Sequence, residues 1–385
     1  MLRRAYFAGH GPSQRKLLTI SRRWSSTKQH DPLRILFCGA DQFSIFSLRA
    51  LQDFKQQQPE KVASIDVVCR PDKRVGRGLK RVQEVPIKPV ATELGLNLHQ
   101  LDTFKEWRPP SVYDLVVTVS FGLLVPAKVL NAAQYGGLNV HPSLLPQFRG
   151  PAPIQRAMLS KAEATGVTLQ TMHPTRFDHG QLLSRSDPLL SPWNLSMEEA
   201  TRSLGMSGAR LLVDAIRDGT FVPPIQDLEL TLKSPKSSYA AKITPEDRRI
   251  DWEKWTSEDI ILRDRVLGNL WDTSTFAEVH RVAHEIATPS ALDQKSKEQG
   301  GKRIIYHGPW TLSNEEHTAA APGRPSISLS SRGPHEIALQ TVDRGFVKPA
   351  SMTIEGERRG TGQESLYRIL RKQQVVAARD NGTGS

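Results

Sequence analysis

Leu33-Arg34-Ile35-Leu36-Phe37-Cys38-Gly39 is a short apolar run that stops at a glycine, and from Asp41 to Leu51 the spacing of apolar residues becomes helical. Strand, turn and helix in that order open a doubly wound α/β sheet. The next strand-like run is Ser64-Ile65-Asp66-Val67-Val68-Cys69, and a helix opened by Pro86 and ended by Gly95 leads into a short strand over 96–101. Tyr113-Asp114-Leu115-Val116-Val117-Thr118-Val119-Ser120 follows, a nearly continuous β-branched run of the kind buried on both faces of a parallel sheet. A nicotinamide-binding site would place G-x-G-x-x-G at the first turn, and only Gly39 is there. In an open sheet of this class the ligand site lies beyond the carboxyl ends of the strands, at a switch in strand order.

At 385 residues the chain is too long for one core and predicts two domains with tails. Its net charge of +12 divides unevenly. Residues 1–30 hold seven basic residues and no acid, which leaves +5 on residues 31–385, so overall charge is weak evidence for a nucleic-acid partner and local clusters must carry that argument. The Arg-rich leader lacks a continuous apolar stretch, the composition of an organelle transit peptide, and predicts import into the mitochondrial matrix. The longest apolar run, 115–125, is too short to span a bilayer, so no membrane segment is expected. Cys38 and Cys69 fall in strand-like runs and read as buried thiols, and scattered His and Cys give no metal-ligand spacing.

The stretch richest in chemistry is Gly137-Leu138-Asn139-Val140-His141-Pro142-Ser143-Leu144-Leu145-Pro146-Gln147-Phe148-Arg149-Gly150. Asn139 and His141 are two apart and leave the same face of a strand, after which the prolines and Gly150 shape a loop. An amide donor and an imidazole aimed at one point can stabilise the oxyanion formed when a nucleophile attacks a carbonyl. Downstream, Thr165 to Met172 reads as a strand running into Phe177-Asp178-His179-Gly180, a carboxylate on a Gly-bounded loop.

Taken together, residues 139–150, the following Ala152-Pro153-Ile154-Gln155-Arg156 and the 165–180 segment resemble the folate-dependent formyltransferases, and within them the branch acting on methionyl-tRNA. The resemblance implies catalytic roles for Asn139, His141 and Asp178, and donor contacts from Ser143, Leu144, Leu145 and Pro146. Ser120, Phe121, Gly122 and Leu123 match the family's segment that walls its folate pocket. It also implies 10-formyltetrahydrofolate as formyl donor, no metal, methionyl-tRNA as acceptor, and a protein expected to act as a monomer. In this reading Asn139 and His141 donate to the developing oxyanion, while Asp178 orients His141 and takes the amine proton. A formyltetrahydrofolate hydrolase, a formyltransferase with another acceptor and a noncatalytic RNA-binding protein are the rival readings.

Arg70 to Arg81 holds six basic residues in twelve and reads as a flexible loop. The resemblance makes it the loop that reaches the acceptor end of tRNA, with Arg74, Arg77, Lys80 and Arg81 as contacts. Residues 196–216 read as a core-facing helix, and Pro- and Gly-containing residues 219–237 as a linker. The implied organisation is a transit peptide over 1–30, a mostly parallel α/β catalytic domain over 31–218, and a small C-terminal β-barrel domain over 238–370 that contacts tRNA. Its strands are expected at 275–280, 282–287, 326–330, 335–341 and 346–351, with a polar insertion near 288–323 and a flexible tail over 371–385.

Overall fold

The computed structural model describes residues 28–228, 236–287, 301–314, 321–323, 325–327 and 337–369. Arg77, 282–287 and 325–327 are described in backbone alone. The basic leader up to residue 27, part of the linker (229–235) and the C-terminal tail lie outside the described residues.

The chain opens with β1 (Leu33–Gly39), α1 (Gln42–Gln57) and β2 (Val62–Cys69). A hairpin of β3 (Lys73–Val75) and β4 (Arg81–Gln83) precedes α2 (Ile87–Glu93) and β5 (Asn97–Gln100). Then come β6 (Leu115–Val119), α3 (Ala127–Ala132), β7 (Gly137–His141) and α4 (Pro153–Leu159). A short strand β8 (Ala164–Thr165), β9 (Thr168–Thr171), β10 (Leu182–Arg185), β11 (Leu189–Leu190) and the long α5 (Met197–Asp218) complete this part. The run expected to be one strand over 165–172 is thus broken at Gly166, where a Cβ would lie 2.6 Å from the Leu144 side chain.

Seven strands form one sheet in the order β10-β9-β7-β6-β1-β2-β5, parallel from β7 to β5, with β9 and β10 antiparallel at one edge. Alternation along β1 sends Ile35 and Phe37 into a core shared with α1 and α5, and Leu36 and Cys38 into a second one with Phe104, Val116 and Val129. Both faces are covered, as the β-branched runs require. The order reverses between β1 and β6, so the cleft at their carboxyl ends is the switch point where a ligand site belongs.

α5 begins with a reciprocal capping box between Ser196 and Glu199 and ends at Gly219 in a left-handed conformation (φ 66°). Gly205 lets it approach the Phe46 ring of α1, where a Cβ would sit 2.3 Å away. Fully or almost fully buried Leu204 and Leu212 on the same stripe each contribute roughly 1.5–3 kcal/mol relative to exposure.

After the linker, α6 (Ser257–Leu267), β12 (Leu270–Asp272), α7 (Ser274–Ala287), β13 (Ile304–Leu312), β14 (Pro325–Ile327), β15 (Ile337–Gln340) and β16 (Phe346–Ile354) follow. The five strands make an antiparallel sheet in the order β12-β13-β16-β15-β14 around a separate core that includes Trp252, Tyr306, Trp310 and Met352. α6 serves both cores, giving Ile260 to this one and Leu262, Val266 and Leu267 to the first.

Two expectations are corrected here. The strands predicted over 275–280 and 282–287 are the single helix α7: Asp272 accepts the Thr275 N–H at 3.4 Å and its hydroxyl at 2.6 Å, and Phe276 and Val279 are buried at helical spacing. The interval 288–323, expected to be a polar insertion, contains β13, which joins β12 to β16. The rest of that interval is only partly described.

Candidate active site

β7 sends Asn139 and His141 to one side, and its neighbours supply polar partners there. Thr118 of β6 and Gln170 of β9 stand in register on either side of Asn139. The Thr118 hydroxyl donates to Asn139 Oδ1 at 3.2 Å, which turns the amide nitrogen toward Asp178, and Nδ2 donates to Asp178 Oδ1 at 3.2 Å. His141 Nδ1 stands 3.3 Å from the same oxygen and Gln170 Nε2 donates to it at 3.4 Å, while the Gly150 N–H donates to Oδ2 at 2.9 Å. The His141 and Asp178 side chains are only 6% and 8% exposed, so the carboxylate depends on these donors in place of water.

The loop that brings Asp178 here is tightly constrained. Asp178 itself is left-handed (φ 54°), and two residues on Gly180 passes so close to β9 that a Cβ would lie 1.6 Å from the Thr171 carbonyl oxygen. The Gly180 N–H donates to Gln170 Oε1 at 3.2 Å, and Arg149 Nε donates to the Asp178 carbonyl at 2.8 Å.

The second ring nitrogen of His141, Nε2, lies 3.0 Å from the Phe148 carbonyl oxygen. Both ring nitrogens therefore have acceptors as neighbours, and the ring is fixed at Nε2 with Nδ1 turned to Asp178.

These groups open on a cavity of about 770 Å3 lined by Asp41, Thr118, residues 120–124, Asn139, His141, Gly150, residues 170–173 and 176–179, and the strap 237–239. It lies at the carboxyl ends of β1, β6 and β7. Asp41 opens toward the cavity and caps α1 by accepting the Ser44 N–H; the surrounding protein desolvates its carboxyl and raises its pKa above the ordinary value, partly offset by that N–H and by Ser120.

Of the residues expected to contact the donor, Ser120, Phe121, Gly122 and Leu123 line the cavity. Ser143, Leu144, Leu145 and Pro146 lie in the turn that follows β7 and do not line it. Ser143 and Leu145 are fully buried; Ser143 Oγ donates to the Gln147 carbonyl at 2.6 Å, and Thr168 Oγ1 ties the carbonyl of Ser143 to the N–H of Leu145. These bonds shape the turn after β7.

The basic segment forms a hairpin of β3 and β4. Gly76 (φ 83°) and Gly78 (φ 71°) make its turn, and Asp72 anchors its base by accepting the Val85 N–H at 3.1 Å and Lys88 Nζ at 2.6 Å. Arg74, Lys80 and Arg81 are exposed, and none of them lines the cavity. The Arg77 side chain lies outside the description.

Sequence reading missed Thr118, Gln170, Arg149, Gly150 and the strap. For Thr118 one signal existed: it is a polar residue inside an otherwise apolar strand, hence a group that needs an interior partner.

Residues 33–216 match the formyl transferase family. A protein named mitochondrial methionyl-tRNA formyltransferase from Saccharomyces cerevisiae is 32% identical over 72% of this chain and 75% of its own. Its human namesake is 33% identical over 74% and 71%, and a methionyl-tRNA formyltransferase from Syntrophomonas wolfei is 33% identical over 58% and 69%. With a relative of that identity spanning three quarters of its own length, the chain belongs to the methionyl-tRNA formyltransferase family.

Proposed function

We propose that this protein transfers a formyl group from a folate-type donor, 10-formyltetrahydrofolate, to the α-amino group of methionyl-tRNA, and does so in the mitochondrial matrix. The names of its relatives support the reaction and the organelle. The observation that carries the reading is the convergence of Asn139 and His141 on Oδ1 of Asp178, beside a cavity of about 770 Å3. That volume is within the usual range for small-molecule sites, roughly 300–1,000 Å3.

The donor supplies the formyl carbon and leaves with a proton on its nitrogen. Asn139 has a second N–H beyond the one given to Asp178, and this stabilises the negative charge that grows on the formyl oxygen as the amine attacks, with the His141 ring held beside it. Asp178 takes the proton that the attacking amine sheds and returns it to the leaving nitrogen, so that one C–N bond forms, one breaks and the proton count is unchanged. Phe148 keeps the ring from turning, by accepting at Nε2. No step assigned to these side chains calls for a metal. The exposed basic hairpin, carrying Arg74, Arg77, Lys80 and Arg81, is the proposed contact to the acceptor tRNA, whose phosphates attract such charge.

The test is to supply 10-formyltetrahydrofolate with and without methionyl-tRNA and to follow formyl-methionine and free formate. Formyl-methionine that appears only with the tRNA is the expected result. Formate released at equal rate in both would identify a hydrolase and remove the reading.

A further inference from the structure

Three successive residues after β7 each hold one of the proposed catalytic groups. Phe148 meets His141 Nε2 through its carbonyl, Arg149 holds the Asp178 carbonyl, and the Gly150 N–H holds the Asp178 carboxylate. Phe148 is left-handed (φ 54°), as is Asp178 itself, and Gly150 has φ 114°, a conformation open to glycine.

What holds them comes from the far side of the linker. The Phe148 N–H donates to Ser238 Oγ at 2.8 Å, Arg149 Nη1 donates to Ser237 Oγ at 3.0 Å, and the Arg149 N–H donates to the Ser238 carbonyl at 2.9 Å. Tyr239 lies against Gly150 so closely that a Cβ there would be 2.7 Å from its ring. The strap is fixed farther along as well. Arg156 Nε donates to the Ala241 carbonyl at 2.9 Å, and its guanidinium forms a two-pronged pair with Asp247 at 2.7 and 3.0 Å.

We propose that Ser237 and Ser238 are positioning residues: through Phe148 and Arg149 they set His141 and Asp178 in their working geometry, so that turnover depends on a segment outside the catalytic sheet. The inference rests on the roles given above to His141 and Asp178. It differs from a substrate-binding role for the strap, although 237–239 also line the cavity, because a positioning residue acts on the reacting groups and not on affinity.

Both serines are exposed, so losing their hydroxyls leaves the freed donors in reach of water and the fold intact. The experiment measures kcat and both KM values for full-length wild type, Ser237→Ala, Ser238→Ala, the double variant and Ser238→Thr. Misplacement by about 1 Å costs up to about 10²-fold, so the double variant is expected to lose roughly ten- to a hundredfold in kcat with each KM changed less than about threefold. Ser238→Thr, which keeps the hydroxyl, should stay within a few-fold of wild type. Wild-type kcat in the double variant, a loss confined to KM, or equal loss in Ser238→Thr and Ser238→Ala would each overturn the proposal. Wild-type protein that transfers no formyl group would instead strike the functional reading, and the strap proposal with it.

Discussion

Gly150 donates its N–H to Oδ2 of Asp178 at 2.9 Å, joining the loop after β7 to the loop after β9 at the one carboxylate on which Asn139 and His141 also converge. The site is therefore built from the ends of neighbouring strands and tied by backbone, and its geometry depends on two loops keeping their shape.

Gly180 tests the second of these loops. A Cβ there would lie 1.6 Å from the carbonyl oxygen of Thr171, a backbone atom that cannot swing aside. Gly180→Ala is expected to lower stability by about 1–3 kcal/mol and to reduce kcat as the Asp178 loop shifts. Thermal unfolding and steady-state kinetics on the same preparation check both; an unaltered Tm with unaltered kcat would mean that the loop has slack the geometry does not show.

The basic hairpin predicts a different kinetic pattern. Replacing Arg74, Lys80 and Arg81 together with Ala should raise KM for methionyl-tRNA, leave KM for the formyl donor nearly unchanged and make binding less steeply dependent on salt, because phosphate contacts are lost. Equal impairment toward both substrates would show that the hairpin supports the fold.

Arg34 and Asp114 pin the starts of β1 and β6 together, with Nη2 and Nε of Arg34 donating to the carboxylate at 2.8 and 2.9 Å and the Arg34 N–H adding a third bond at 2.8 Å. The Arg34 guanidinium holds the Asp114 carboxyl below the ordinary carboxylate range, outweighing the opposing effect of burial. A carboxyl with a lowered folded-state pKa contributes stability above its unfolded value, about 3.9, and loses it as pH falls through the folded value. Asp114→Asn should accordingly be less stable than wild type at neutral pH, with the gap closing below about pH 4. Denaturant titrations at pH 7 and at pH 3 measure it; a gap that stays constant would assign the loss to packing alone.

Much of this was legible in the sequence, for a physical reason. Strands buried on both faces, such as Leu115–Val119, leave nearly continuous apolar runs, and the two-residue spacing of Asn139 and His141 survives any uncertainty in strand ends. The C-terminal half was less legible because its signals conflict. The Thr, Phe and Val residues of α7 have strand propensity, and only the Asp272 cap and the burial of Phe276 and Val279 at helical spacing settle it. β13 is interrupted at Gly308-Pro309, where its register with β16 shifts, so its alternation is broken when read alone. The positioning role proposed for the strap was illegible for a third reason: Ser237 and Ser238 meet their partners across about ninety positions of sequence.

The account rests most heavily on Asp178, and single-turnover formyl transfer to methionyl-tRNA by Asp178→Asn tests it most directly. Asn keeps the size of the side chain and part of its hydrogen bonding but cannot take the amine proton, so the rate of the chemical step is predicted to fall by at least about 10²-fold while the protein stays folded and still binds both substrates. A single-turnover rate within a few-fold of wild type would contradict the assignment of Asp178 as the proton acceptor and, with it, the mechanism built on its meeting with Asn139 and His141.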